Sequence, residues 1–363
     1  LESEAMAARV VEDLAKTGCL TISEDDIRAR ASKMSGLDLR KMDELDIQQL
    51  TQIEARIRTR FIGQDQAVEK VAGAIKRYKT GRRKKQSPVA TFLFTGPTGT
   101  GKTEMAHTIA WLLFGDPNKV MTIDMTLCEG RGGKSLLFGP DPGFVGFDKT
   151  EGMLPELLKR KENRHGVLLL DEIDKADREV YESLLYVLDK GYVQNKKTGE
   201  KYSLEDIVVI MGSNQGEAQM VKPDQMKAVV ENRLIEREKK LKEDLKAAQE
   251  RYQSAKELDP QVDTQNLREI AVLQGQLDDL RANRQEHRKT ILQALIDNNR
   301  QIASNSFRSQ TDDFGREKYP SAFLNRLEIV PFDYLNEKNI SAIADIQLKY
   351  FISQVERDQK LEL

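Results

Sequence analysis

The chain has 363 residues, of which 39% are hydrophobic and 32% charged, and its 57 Lys and Arg against 59 Asp and Glu leave a net charge near −2. That length suits about two to three domains with a sizeable core, and the near-neutral balance excludes the global positive field of a nucleic-acid or anionic-membrane binder. No apolar run approaches the roughly 20 residues of a membrane span, no secretory leader is recognisable, and Cys19 and Cys128 alone exclude a disulfide framework and point to a reducing, cytoplasmic setting.

Taken in chain order, residues 1–60 read as a helical segment. Ser23 before Glu24-Asp25-Asp26 is an N-cap with an acidic first turn, and apolar residues recur at helical spacing from Leu45 to Ile57. The sequence starts at Leu1 rather than Met and stops at Leu363 inside an apolar alternation, so it reads as a piece of a longer protein. Arg82-Arg83-Lys84-Lys85 reads as a solvated basic loop. A strand, Val89–Phe94, then runs into Gly96-Pro97-Thr98-Gly99-Thr100-Gly101-Lys102-Thr103, a complete P-loop, and an amphipathic helix from Glu104 to Leu113 follows. Backbone N–H groups of such a loop and the start of the next helix cradle phosphates. Lys102 should reach the β- and γ-phosphates, and the Thr103 hydroxyl should bind Mg²⁺.

Further strands are Val120–Ile123, Val167–Leu170, Ile207–Met211 and Glu328–Val330. Near-continuous apolar strands between helices predict an α/β fold with a parallel sheet covered on both faces. The third strand ends in Asp171-Glu172, a Walker B pattern. At the carboxyl edge of the sheet, Asp171 can hold Mg²⁺ or its waters, and Glu172 can polarise the attacking water. The next strand ends at Asn214, either a turn former or a contact to the γ-phosphate or the nucleophilic water.

Between Asn214 and Tyr319 the composition changes to charge and Gln. Residues 224–258 and 266–303 predict two long helices separated at Pro260, with Leu241, Leu245, Ala248, Tyr252 and Ala255 in one and Ile270, Leu273, Leu277 and Leu280 in the other at heptad spacing. The prediction is an inserted antiparallel coiled-coil hairpin, 220–305, projecting as an arm. After 332, Ile340, Ile343, Ala344, Leu348, Phe351, Ile352 and Val355 mark one more amphipathic helix, the start of a small C-terminal domain over 333–363.

Phe61-Ile62-Gly63-Gln64-Asp65-Gln66-Ala67-Val68, the P-loop, Leu169-Leu170-Asp171-Glu172-Ile173-Asp174-Lys175-Ala176, Gly212-Ser213-Asn214 and Phe323-Leu324-Asn325-Arg326 together resemble an AAA+ ATPase of the Clp unfoldase and disaggregase family, particularly the second ATPase domain of ClpB. The resemblance covers about 60–214 and 319–363 and implies a large ATPase domain over 61–332. It implies that Phe61 and Ile62 line the adenine pocket, that Asn214 is sensor 1, and that Arg326 is an arginine finger inserted into a neighbouring subunit of a hexameric ring. Gly143-Phe144-Val145-Gly146 matches the family's pore loop, whose aromatic grips an extended polypeptide; Phe stands here in place of the commoner Tyr. The family's sensor 2 arginine would fall beyond Leu363. The arm sits between sensor 1 and the finger rather than in a first ATPase domain, and it carries no Ile-Gly-Phe-like tripeptide for docking a protease.

The reading is an ATP- and Mg²⁺-dependent motor that threads protein substrates through a hexameric pore, with a partner or regulatory contact on the arm. A nucleic-acid-remodelling AAA+ enzyme and a nucleotide-gated scaffold acting through the arm are the alternatives. Neutral charge and the aromatic pore loop argue against the first. ATP binding without turnover would mark the second.

Overall fold

A computed structural model describes residues 52–79, 87–130, 132–144, 147–258, 264–308, 310–311 and 315–361. Ser23, the Leu45 end of the first helical run, the 82–85 basic run, Val145 and Gly146 lie outside the described residues. No helix among those described is long and apolar enough to cross a membrane.

Helices α1 (Ile53–Arg60) and α2 (Asp65–Lys79) precede strand β1 (Ala90–Thr95) and helix α3 (Lys102–Phe114). Next come β2 (Val120–Asp124), α4 (Gly133–Phe138), α5 (Met153–Lys159), β3 (Gly166–Asp171) and α6 (Arg178–Lys190). A small hairpin of β4 (Tyr192–Gln194) and β5 (Lys201–Ser203) leads into β6 (Ile207–Ser213). Three helices follow, α7 (Pro223–Leu258), α8 (Thr264–Ala282) and α9 (Arg284–Asn305), then the short α10 (Ser321–Leu324), β7 (Glu328–Pro331) and α11 (Glu337–Leu361).

The described chain divides into two compact units. One takes in the residues up to Phe94 with Gly101–Ser213 and Gln310–Val330; the other takes in Thr95–Thr100, Asn214–Ser309 and the residues from Pro331 onward.

The main sheet has the order β2-β3-β6-β1-β7. Its parallel register sets Val120 beside Val167, Asp124 beside Asp171, and Leu170 beside Met211. The Val89 N–H donates to the Ile207 carbonyl at 2.9 Å, so β1 and β6 also start together. β6 is buried along its whole length and β3 in all but Asp171. Such strands must be covered on both faces, which is why they read as continuous apolar runs. Every chain crossing then delivers its next loop to the same carboxyl edge. The predicted α/β parallel sheet is the fold observed.

Three expectations change. Helix α3 is not amphipathic: Met105, Ala106, Thr108, Ile109, Ala110, Leu112 and Leu113 are buried on most of its circumference. The β4–β5 hairpin carries no sequence signal, since each strand is three residues long and mixed in polarity. The second arm helix is broken at Asn283, whose φ of −105° and ψ of 30° leave the helical region. The Asn283 amide donates to Asp279 Oδ1 at 2.7 Å, a local bond of the kind that competes with helix continuation.

Within the second unit the heptad seam packs where expected. Leu245, Ala248, Leu277 and Leu280 are buried, and Val230, Leu234, Leu280 and Leu295 form a common cluster. Arg251 pairs with Glu269, Arg281 with Glu238, and Arg288 with Glu231. As the residue number on α7 falls, its partner's number rises through α8 into α9, so α7 runs antiparallel to both. At the base, Asn299 locks the register: Oδ1 accepts from Val221 N at 3.0 Å and Nδ2 donates to Val221 O at 2.9 Å.

Candidate functional site

The phosphate loop is shaped by close backbone approach. A Cβ on Gly96, whose φ is +142°, would lie 2.3 Å from the Phe332 carbonyl oxygen, so no larger residue fits. Phe332 N–H in turn donates to Thr95 O at 2.7 Å. Thr100 Oγ1 donates to Pro97 O at 2.8 Å and closes the turn. In the same unit, Thr98 donates through both its N–H and its hydroxyl to Glu217 Oε2, each at 3.2 Å.

Gly101, at φ +99°, is the N-cap of α3 and supplies no side-chain cap. The first N–H groups of a helix lack intrahelical acceptors and favour an anion. A Cβ at Gly101 would meet the Phe61 ring at 3.2 Å, so Phe61, 5% exposed, packs directly under the end of the loop. Ile62 is half-buried beside it in sequence.

The Walker B end is built on β3. Asp171 Oδ1 accepts from Glu172 N at 3.1 Å, and that oxygen lies 2.5 Å from where a Gly212 Cβ would sit. The adjacent strand therefore needs glycine opposite the carboxylate. Glu172 has φ +53° and ψ 41°, a left-handed conformation that a non-glycine residue holds only when its surroundings over-determine it. Burial, with the Asp174 and Asp171 carboxylates alongside, pushes the Glu172 pKa up; Lys175 and Lys102 act against this.

Asp174, 9% exposed, anchors the turn. It accepts from Ser213 Oγ at 2.5 Å through its carboxylate and from Lys318 Nζ at 2.7 Å through its carbonyl. Tyr181 OH donates to Ile173 O at 2.5 Å, and its ring lies 4.9 Å from Tyr319 and 5.5 Å from Phe323. Ile173, Asp174, Ser213 and Phe323 stand inside recognised motifs, but their contacts with one another and with Tyr181, Lys318 and Tyr319 join four separate segments and were invisible in the sequence.

Asn214 follows buried Ser213 directly, and its carbonyl accepts from Glu217 N at 3.3 Å. Arg326 lies elsewhere: its Nε reaches Asp189 Oδ1 at 2.7 Å, with both side chains partly exposed. Phe144 is 69% exposed. The hairpin turn grips its loop at both ends: Lys196 bonds Gly139 O at 2.7 Å and Asp141 at 2.9 Å, and Lys197 bonds Asp148 O at 2.7 Å. Asn195, fully buried, fastens the hairpin to Glu151 at 3.0 Å. Of the predicted pore loop, Gly143 and Phe144 are described.

The family model for the AAA domain (Cdc48 subfamily) matches residues 87–330, and the chain belongs to that family of ATPase domains. It is 38% identical over 218 residues to a chaperone protein ClpB 2 of Thermosynechococcus vestitus, covering 59% of this chain and 24% of that protein. It is 37% identical over 199 residues to the negative regulator of genetic competence ClpC/MecB of Bacillus subtilis, covering 55% of this chain and 24% of that protein. The chain thus spans about a quarter of the length of these relatives. Among solved structures it resembles the S. cerevisiae Hsp104–ADP complex, with a TM-score of 0.55 at 24% identity over 92% of this chain and 44% of that one. It also resembles a closed-state Hsp104 with ATPγS and FITC-casein, with a TM-score of 0.54 at 24% identity over 91% of this chain and 43% of that one. At that identity the likeness is one of fold, and the AAA+ architecture is the same.

Proposed function

We propose that this chain is the ATPase engine of a protein-unfolding machine. ATP is held by Gly96–Thr103, with the adenine against Phe61 and Ile62. The observation that carries the protein-threading part is Phe144, an aromatic ring 69% exposed on a loop braced by Lys196 and Lys197. A flat apolar ring grips varied side chains without demanding a sequence. The Hsp104 structure that holds ATPγS and casein supports the same substrate class.

The donor set suits Mg²⁺ only in company with phosphate. Among the described residues no group of three or more His, Cys, Asp or Glu could hold a metal alone. The Thr103 hydroxyl and the Asp171 carboxylate would hold it, with phosphate oxygens and waters as further ligands. Bound there, Mg²⁺ neutralises charge on the phosphates. Lys102 orients the terminal phosphates. Glu172 accepts a proton from the attacking water, and its raised pKa makes it a better base than an ordinary glutamate. Asn214 aligns that water. Arg326 serves a neighbouring copy in a ring of six, and its partly exposed place beside Asp189 suits a group that must leave for another subunit.

The test is ATP turnover by the full chain with unfolded casein or with single-stranded DNA added. Stimulation by casein, lost in Phe144→Ala while basal turnover persists, supports the reading. Stimulation by DNA alone overturns the protein-threading part.

A further inference from the structure

Glu217 is an acidic side chain hydrogen-bonded to the phosphate loop, through Thr98. The contact joins segments 119 residues apart in sequence, and its two bonds converge on one oxygen. The carboxylate is presented by a short turn, Glu217–Gln219, whose N-cap Gly216 has φ +89°. That turn is set rather than wandering. Glu217 N–H donates back to Asn214 O at 3.3 Å, and a Cβ at Gly216 would lie 3.2 Å from Ser306 and 3.3 Å from Ile302 of the arm base. Glu217 therefore hangs three residues beyond the candidate water-aligning Asn214 and points its charge at Thr98.

An anionic oxygen on a loop N–H and hydroxyl occupies donors that also suit a phosphate oxygen. From this geometry we infer that Glu217 is a specificity-determining residue that competes with the terminal phosphate of a bound nucleoside triphosphate. This rests on the reading that Gly96–Thr103 binds nucleotide. The backbone N–H groups at the helix end of the loop would serve the inner phosphates, and the Lys102 side chain would reach from there to the β- and γ-phosphates. On the same reading Thr98, on the entering limb, would lie beside the outermost one. A triphosphate must then displace the Glu217 carboxylate or lie against a like charge, whereas a diphosphate leaves the Thr98–Glu217 bonds in place. The residue lowers affinity for ATP relative to ADP.

The experiment measures binding of ATPγS and ADP, each with Mg²⁺, by calorimetry on the full chain and its Glu217→Gln, Glu217→Ala and Lys102→Ala variants. Glu217→Gln keeps an acceptor for Thr98 and removes the charge. It should tighten ATPγS binding roughly five- to tenfold and change ADP binding less than about twofold. Glu217→Ala should tighten ATPγS binding at least as much, since it removes the competing acceptor too. Unchanged or weaker ATPγS binding in both variants overturns the inference, as does an equal gain for both nucleotides. Lys102→Ala separates this from the underlying site: if it binds both nucleotides like the parent chain, the P-loop reading fails, and the inference with it. If it loses both while the Glu217 variants bind like the parent, the site stands and the inference alone falls. Circular dichroism matching the parent chain excludes misfolding as the cause of any loss.

Discussion

The β3–β6 ladder and the α7–α9 arm hold their residues by opposite means. Every residue of β6 is buried, its register with β3 is set by backbone bonds, and apolar side chains fill both faces. The arm joins a 36-residue helix to one of 19 and one of 22, yet it closes on a thin apolar seam with Arg–Glu pairs along its solvent side. Such exposed pairs contribute little and are screened by salt. The candidate catalytic carboxylates stand at the end of the ladder, where backbone bonds to the neighbouring strands fix the register. The arm is left to contacts that tolerate drift.

The largest break in that comparison should come at the ladder's end. Glu172→Gln should keep nucleotide binding and lower ATP turnover by about 10²–10⁴, the span of a lost general base; single-turnover kinetics checks it. Next, Leu169→Ala in β3, where the side chain is 1% exposed, should cost about 4 kcal/mol in urea unfolding. Leu234→Ala in the arm should cost about 2 kcal/mol, because the thin seam can collapse around the gap. Equal costs would erase the distinction drawn here.

The pH dependence sharpens it further. Glu172 has a pKa above the ordinary value of 4.5, so on acidification it takes its proton early and stops acting as a base. The acid limb of kcat/KM should therefore lie above the normal glutamate range. The stability term runs the other way. The folded state favours neutral Glu172, so this contribution is present below the ordinary pKa and lost as pH rises through the raised one. Lys196→Ala should then raise hydrogen exchange at 139–148 without altering basal turnover, because it loosens only the loop bearing Phe144. The smallest effect belongs to Glu231→Gln on the arm surface, where the unfolding midpoint should stay where it is in moderate salt.

Much of this was legible in the chain. β3 and β6 announced themselves because a strand buried on both faces must be apolar throughout, and the other sheet strands showed as short apolar runs between helices. The P-loop and Asp171-Glu172 were legible because their chemistry requires particular residues at particular spacings. The β4–β5 hairpin was not: three-residue strands such as Tyr192-Val193-Gln194 are too short to show a period, and the work of Asn195, Lys196 and Lys197 lies in contacts to residues about 50 positions back. The break at Asn283 was hidden because neither Gly nor Pro marks it; an Asn–Asp bond one turn apart makes it.

The sequence by itself determined the sheet, the motif at Gly96–Thr103, the carboxylates at the end of β3 and the existence of a heptad-seamed insertion. Each is encoded by local pattern, in residue types that the chemistry or the period demands. Only the tertiary structure decided that Gly212 must leave room for Asp171, that Asp174 is tied to Ser213 and Lys318, and that Glu217 reaches Thr98. These depend on which distant segments the folded sheet and the arm base bring within hydrogen-bond reach, and no period along the chain records that distance.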